Sequence, residues 1–226
     1  MSHERRGSWT RWWFRTPDGR GFHRRRTDIV AAGVGLGVAA VCGILVSAAT
    51  LKHPETAVFR WINGWPEWLY PPMWFVQLWG VIGVLPAFAV GAALLRRFRL
   101  AAALLAATLL KLWVEAAAKG LVQRNRPAQT LSDVVLRGRA AARGLSFPSG
   151  HAMVIFAIAT LVSPYLRGRW RILPWALAAA VCLSRVYLGA HFPLDVLAGA
   201  GLGVAIGGAL NLAFGVPSRT ATRVRT

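Results

Sequence analysis

The chain has 226 residues, 55% of them hydrophobic and 15% charged, with a mean hydropathy of +0.45, which excludes an ordinary soluble domain of this size. The formal net charge of +19 would point to nucleic acid in a soluble protein, but the placement of the charge along this chain points to a membrane instead.

Residues 1–27 form a basic tail with eight arginines and an aromatic cluster, Trp9, Trp12, Trp13 and Phe14, a composition suited to a lipid surface. A cleavable leader is not expected, because this polar and basic stretch precedes the first apolar run. Apolar stretches then recur at residues 29–51, 71–95, 100–122, 149–166, 172–188 and 192–214. A spanning helix needs roughly 20 apolar residues, so six spans are expected. Residues 28–215 read as one membrane domain and residues 216–226 as a basic C-terminal tail. Cys42 and Cys182 both lie inside apolar runs and predict neither a disulfide framework nor a metal site.

Arginine placement sets the expected orientation. Besides the tail, arginines cluster at Arg96, Arg97 and Arg99, at Arg167, Arg169 and Arg171, and at Arg219, Arg223 and Arg225. With six spans all four groups fall on one side. Cytoplasmic loops carry the excess of Lys and Arg, so both termini are expected in the cytoplasm of a multi-pass plasma-membrane protein. The Trp-rich segment from Phe59 to Trp79 then belongs to the outer interface, with a short interfacial helix leading into the second span. Residues 123–148 carry Arg124, Arg126, Arg137, Arg139 and Arg143 on that outer side, against the bias, and an anionic ligand is the natural reason. Gly199, Gly201, Gly203, Gly207 and Gly208 read as packing within the bundle, and the sequence assigns no oligomeric state.

Three separated patterns carry the chemistry. Lys119 is followed after six residues by Arg126-Pro127; next comes Pro148-Ser149-Gly150-His151; then Ser184-Arg185, with His191 after five residues and Asp195 after three more. In the six-span topology all three reach the same membrane face. Pro148-Ser149-Gly150 before an apolar run is a helix start with Ser149 as N-cap, and its free N–H groups suit an anion. Lys119, Arg126 and Arg185 would neutralise phosphate oxygens. His191 and Asp195 are four residues apart and share a face if helical, so the carboxylate would hold the imidazole N–H. That makes His191 the expected nucleophile and His151 the general acid and base. Ser149 and Ser184 are cast as hydrogen-bond donors. Lys111 and Glu115 read as an intramembrane ion pair, Arg124 as lying outside the substrate contacts, and His3, His23 and His53 as surface residues.

These motifs resemble those of the type 2 phosphatidic acid phosphatase superfamily, the integral-membrane lipid phosphatases related to vanadium haloperoxidases and glucose-6-phosphatase. Eleven specified positions are filled in order, and the resemblance covers roughly residues 55–212, including Trp61-Ile62-Asn63. It implies an all-α fold, a six-transmembrane-helix bundle with the active site at the extracytoplasmic face. It also implies a phosphohistidine reaction without metal or cofactor. Catalysis falls to His191, His151 and Asp195, and phosphate binding to Lys119, Arg126, Ser149, Gly150 and Arg185. The implied substrate is a lipid phosphate: a polyprenyl diphosphate such as undecaprenyl diphosphate, phosphatidic acid, or phosphatidylglycerol phosphate. Membrane lipids are the expected surroundings, and no nucleic acid is. The alternatives are a lipid phosphotransferase of the same fold and a non-catalytic binder of lipid phosphates.

Overall fold

The computed structural model describes residues 13, 15–50 and 52–218. The readings of Trp9, Trp12 and Phe14, of His3, and of Arg219, Arg223 and Arg225 lie outside the described residues. Strand β1 (Phe22–His23) leads into helix α1 (Arg26–Ser47). At about 1.5 Å per residue its 22 residues cover about 33 Å, enough for a hydrocarbon core of about 30 Å. One long side exposes Ile29, Val30, Val34, Val41 and Ile44, apolar surface that bilayer chains cover.

Helix α2 (Lys52–Asn63) is amphipathic: Glu55, Phe59, Ile62 and Asn63 face inward at helical spacing, while Val58 and Trp61 are exposed. The sequence places a short helix within Phe59–Trp79; this amphipathic helix starts earlier, at Lys52, and ends at Asn63. Helix α3 (Tyr70–Gln77) tightens into a 3₁₀ turn at Leu78–Gly80, and a 66° bend separates it from α4 (Val84–Leu94). Helix α5 (Phe98–Leu121) is followed by the single turn α6 (Pro127–Thr130). Then come α7 (Gly150–Val162), α8 (Leu173–Tyr187), α9 (Pro193–Phe214) and strand β2 (Val216–Pro217).

Among the described residues, α1, α5 and α9 are long and apolar enough to cross a membrane, and the bent segment from Glu67 to Leu94 makes a fourth crossing if it is one span. The other two apolar stretches form helices of 13 and 15 residues, shorter than a full span. The missing turns go to the motifs. Residues before Gly150 are an extended turn, and α8 stops at Tyr187 ahead of Gly189, which has a φ of +79°.

Helix α9 lies in the middle, with 67% of its apolar window buried. Its glycines let neighbours approach to backbone contact. A Cβ at Gly199 would lie 2.4 Å from the Ser149 carbonyl and one at Gly203 2.5 Å from the Met153 carbonyl, both at the α7 side. A Cβ at Gly201 would lie 2.5 Å from the Gly35 carbonyl of α1. The glycines therefore pack within the bundle, as small residues do between membrane helices.

The basic segments gather at one end. β1 and β2 pair antiparallel, Arg24 donates to the Leu212 carbonyl (2.7 Å), and Arg99 donates to the carbonyls of Trp13 (2.6 Å) and Phe214 (2.8 Å). Arg97 lies 5.2 Å from the centre of the Tyr165 ring, and Arg167 reaches Asp18 at 3.4 Å. At the other end, Asn63 of α2 donates to the carbonyls of Val135 and Tyr187, both at 2.9 Å, and accepts from the Val135 N–H at 2.9 Å. Arg137 is buried there, donating to the carbonyls of Asn63 (2.7 Å) and Tyr187 (2.8 Å). One anti-bias arginine is thus a structural clamp rather than a ligand group.

Candidate active site

The three motifs meet at the second end. A cavity of about 430 Å³ is lined by Lys111, Glu115 and Lys119 of α5, Arg126, Arg139, Gly150 and His151 of α7, Arg185 of α8, and His191. Six of the eight site residues expected from sequence line it. The other two sit directly behind: Ser149 and Asp195 are both fully buried. A larger cavity, about 520 Å³, lies along residues 121–125 and holds no histidine, so volume alone does not mark the chemistry.

His191 has a defined orientation. Its Nδ1 lies 2.9 Å from the Ser146 carbonyl oxygen. A carbonyl only accepts, so this contact assigns the ring proton to Nδ1 and leaves the lone pair on Nε2. Nε2 is 3.4 Å from Arg126 Nη1, which also donates to the Ala190 carbonyl at 2.8 Å. Ser146 is itself fixed by pairing with the strand-like segment beside it, its N–H donating to the Arg124 carbonyl at 2.8 Å. Burial pushes the His191 imidazole down to about 4, against the pull of Asp195, so the ring is neutral at pH 7.

Asp195 differs from expectation. His191 precedes α9, so the two residues do not share a helical face; the turn at the start of α9 brings them together. Asp195 Oδ2 accepts from the Phe192 N–H at 2.8 Å and stands 3.7 Å from His191 Nδ1. Ser146, not Asp195, holds the imidazole N–H in this state, and Asp195 is an electrostatic neighbour. Its other oxygen accepts from Arg124 at 2.9 Å.

Ser149 occupies the N-cap position of α7 with extended backbone, yet its hydroxyl makes no capping bond. Instead its N–H donates to the Asp195 carbonyl at 2.9 Å, and its Oγ is buried without a partner. Ser184 donates to the Val181 carbonyl at 2.7 Å and serves its own helix. Among the described residues four buried side-chain polar atoms lack partners, and three belong to the motifs: Arg126 Nε, Ser149 Oγ and Arg185 Nε. Such atoms are costly unless something satisfies them, which marks the place as a ligand site.

The lining holds five cations, Lys111, Lys119, Arg126, Arg139 and Arg185, against one carboxylate. That carboxylate, Glu115, pairs with Lys111 as expected and also with Lys119 at 2.7 Å. Gly150 makes room for it, since a Cβ there would lie 2.7 Å from Glu115 Oε1. Gly80 does the same for His151, whose Cβ would be 2.7 Å from an added Cβ.

Sequence reasoning missed Gly80, Gln77 and Glu55. Gln77 accepts from Arg185 Nη1 at 2.5 Å, and Glu55 pairs with Arg124. They lie in α2 and in the bent segment, with only the tertiary fold to connect them to the motifs. Arg124 stays outside the cavity, as expected, and His23 and His53 are exposed. No cluster of three or more His, Cys, Asp or Glu suited to a metal ion occurs among the described residues.

The chain resembles known proteins over this same region. The family profile described as the PAP2 superfamily matches residues 100–216. Decaprenylphosphoryl-5-phosphoribose phosphatase of Mycobacterium tuberculosis is 35% identical over 105 residues, 46% of this chain and 56% of the relative, so the chain spans about half that protein's length. The crystal structure of Aquifex aeolicus LpxE superposes with a TM-score of 0.63 at 28% identity, covering 69% of this chain and 93% of the other. A PAP2-type phosphatidylglycerolphosphate phosphatase from Bacillus subtilis gives 0.62 at 23% identity, over 79% and 94%, and supports the fold alone. The family profile covers just over half the chain and includes every motif residue on the cavity: the chain belongs to the PAP2 superfamily.

Proposed function

We propose that this protein is a lipid-phosphate phosphohydrolase of the plasma membrane that works through a phosphohistidine on His191. One observation carries the reading: a buried, neutral histidine presents its Nε2 lone pair beside Arg126 in a cation-lined cavity. Lys119, Arg126 and Arg185, with the Ser149 hydroxyl and the N–H groups opening α7, bind the phosphate and neutralise the charge that builds on its oxygens. His191 Nε2 attacks phosphorus, and the bond from phosphorus to the lipid oxygen breaks. His151, protonated once the negative charge of the bound phosphate offsets the surrounding cations, gives that proton to the departing oxygen. His151 then takes a proton from water, the hydroxide attacks the phosphohistidine, and the P–N bond breaks to release phosphate. Asp195 stabilises the imidazole ring while it is cationic. These steps use only groups of the chain, and no metal or cofactor is assigned a part.

The substrate assigned is a polyprenyl diphosphate or a glycerolipid phosphate. Five cations against one carboxylate exceed what a monoester dianion needs, which favours the diphosphate. The name of one relative, a decaprenylphosphoryl-5-phosphoribose phosphatase, fits a phosphate carried on a polyprenyl lipid. The gathering of arginines at the opposite end supports six crossings, cytoplasmic termini and an outward-facing site.

Phosphate release in detergent, with chelator, from undecaprenyl diphosphate, phosphatidic acid and phosphatidylglycerol phosphate tests the reading. Release from at least one lipid, lost in His191→Ala, is the expected result. Transfer of the phosphoryl group to an added lipid acceptor instead of water would replace the hydrolase by a transferase.

A further inference from the structure

Behind the catalytic histidine lies a chain of three charged groups, one of which comes from outside the family-matched segment. Glu55, on α2, is buried; its Oε1 accepts from the Leu194 N–H at 2.9 Å, in the first turn of α9. The same carboxylate takes both terminal nitrogens of Arg124, at 3.0 Å and 2.5 Å. Arg124 Nη1 then reaches Asp195 Oδ1 at 2.9 Å, and the guanidinium lies 4.2 Å from the centre of the Phe192 ring. Asp195 is fully buried and stands 3.7 Å from His191 Nδ1.

One guanidinium thus serves two buried carboxylates. This division of charge decides where Asp195 sits. Held by Arg124 on one oxygen and by the Phe192 N–H on the other, it stands off from His191 while the ring is neutral. Without Glu55, Arg124 would have Asp195 as its one carboxylate partner and would draw it away from the imidazole. The Leu194 N–H would also lose its acceptor, loosening the turn that carries His191 and Phe192.

We propose that Glu55 is a positioning residue for the His191 reaction: through Arg124 it sets how far Asp195 can answer the positive charge that develops on His191. The role rests on the hydrolase reading above, and it couples α2, the interfacial helix, to the nucleophile. Glu55 and Arg124 line the second cavity rather than the one that holds His151 and His191.

The test is a double-mutant cycle on detergent-solubilised full-length protein, reading phosphate release and inhibition by orthovanadate. Glu55→Gln is expected to lower kcat about tenfold with KM within about twofold, and Glu55→Asp to recover part of the loss. On the Asp195→Asn background, Glu55→Gln should have no further effect: the Gln amide oxygen still accepts from the Leu194 N–H, so what the substitution removes acts through Arg124 and Asp195. Effects that multiply across the two sites, a change confined to KM, or a wild-type kcat in Glu55→Gln would each overturn the proposal. If Glu55→Gln does not fold, Arg124→Lys, which keeps the charge but breaks the two-pronged contact, is read in the same way. If the wild type releases no phosphate from any lipid, the hydrolase reading fails on its own. Vanadate binding by calorimetry then decides: weaker binding in Glu55→Gln supports the positioning role, and equal binding overturns it.

Discussion

Arginines gather at both ends of this bundle, but they are used in opposite ways. At the end formed by β1, β2 and the loops after α4 and α7, Arg24 and Arg99 donate to the last carbonyls of α9, and Arg167 pairs with Asp18. There the cations satisfy the open carbonyl end of a helix, where the dipole favours positive charge. At the end that holds the motifs Arg185 is buried and Arg126 half-buried, each with its Nε unpartnered, alongside a serine hydroxyl in the same condition. The difference teaches that charge alone does not locate a site in a membrane protein. A leftover donor points to a ligand only beside the motif residues: Arg20 Nε, at the opposite end, also lacks a hydrogen-bond partner but stands 2.7 Å from Asp18 in an ion pair, whereas Arg126 and Arg185 line the cavity.

Substitutions at the two ends should therefore differ by orders of magnitude. Replacing His191 by Ala removes the proposed nucleophile, and phosphate release should fall by about a thousandfold or more while the protein stays folded by circular dichroism. Arg126→Lys keeps the charge but loses the fork that reaches the Ala190 carbonyl and is proposed to grip phosphate; kcat/KM should drop about a hundredfold in the same assay. Gly150→Ala drives a methyl group against Glu115, and an activity loss of about tenfold is expected, relieved in Glu115→Ala/Gly150→Ala if the clash is the cause. At the opposite end Arg24→Ala should leave kcat/KM within about twofold and cost about 1 kcal/mol or less of stability, seen as a small shift in thermal midpoint.

The pH dependence sharpens the same contrast. The His191 imidazole titrates near 4 in the folded protein, below the ordinary 6.5. Protonation therefore favours the unfolded chain, and the stability tied to neutral His191 is complete above about pH 6.5 and lost as pH falls from there towards 4. The thermal midpoint of the wild type should fall more steeply over that range than that of His191→Gln. Equal slopes would show that this ring does not carry the effect.

How much of this was legible in the sequence differs by level. The motifs are local, and their residue types and spacing pointed to one site; Lys119, Arg126, His151, Arg185 and His191 do line one cavity, although the six expected spans are three, or four with the bent pair, among the described residues. The stripe of glycines in α9 likewise foretold close packing. Details set by tertiary geometry were hidden. The four-residue spacing of His191 and Asp195 suggested a shared helical face, but Pro193 starts the helix after His191, and the carbonyl that holds the ring comes from Ser146, in another segment. Arg137 looked like a ligand candidate until its donors proved to be spent on Asn63 and Tyr187. Glu55 had no local signal at all, since one carboxylate in an amphipathic helix reads as surface charge.

The central claim is that His191 Nε2 becomes phosphorylated, and the most direct measurement is to trap it. Wild-type protein would be mixed with lipid substrate carrying a radioactive phosphate, quenched in alkali within milliseconds, and the labelled peptide mapped by mass spectrometry. The account predicts an acid-labile phosphoryl group on His191, absent in His191→Ala and more persistent in His151→Ala, which lacks the base for hydrolysis. Label on Ser149 or His151, or phosphate release by His191→Ala at the wild-type rate, would contradict it.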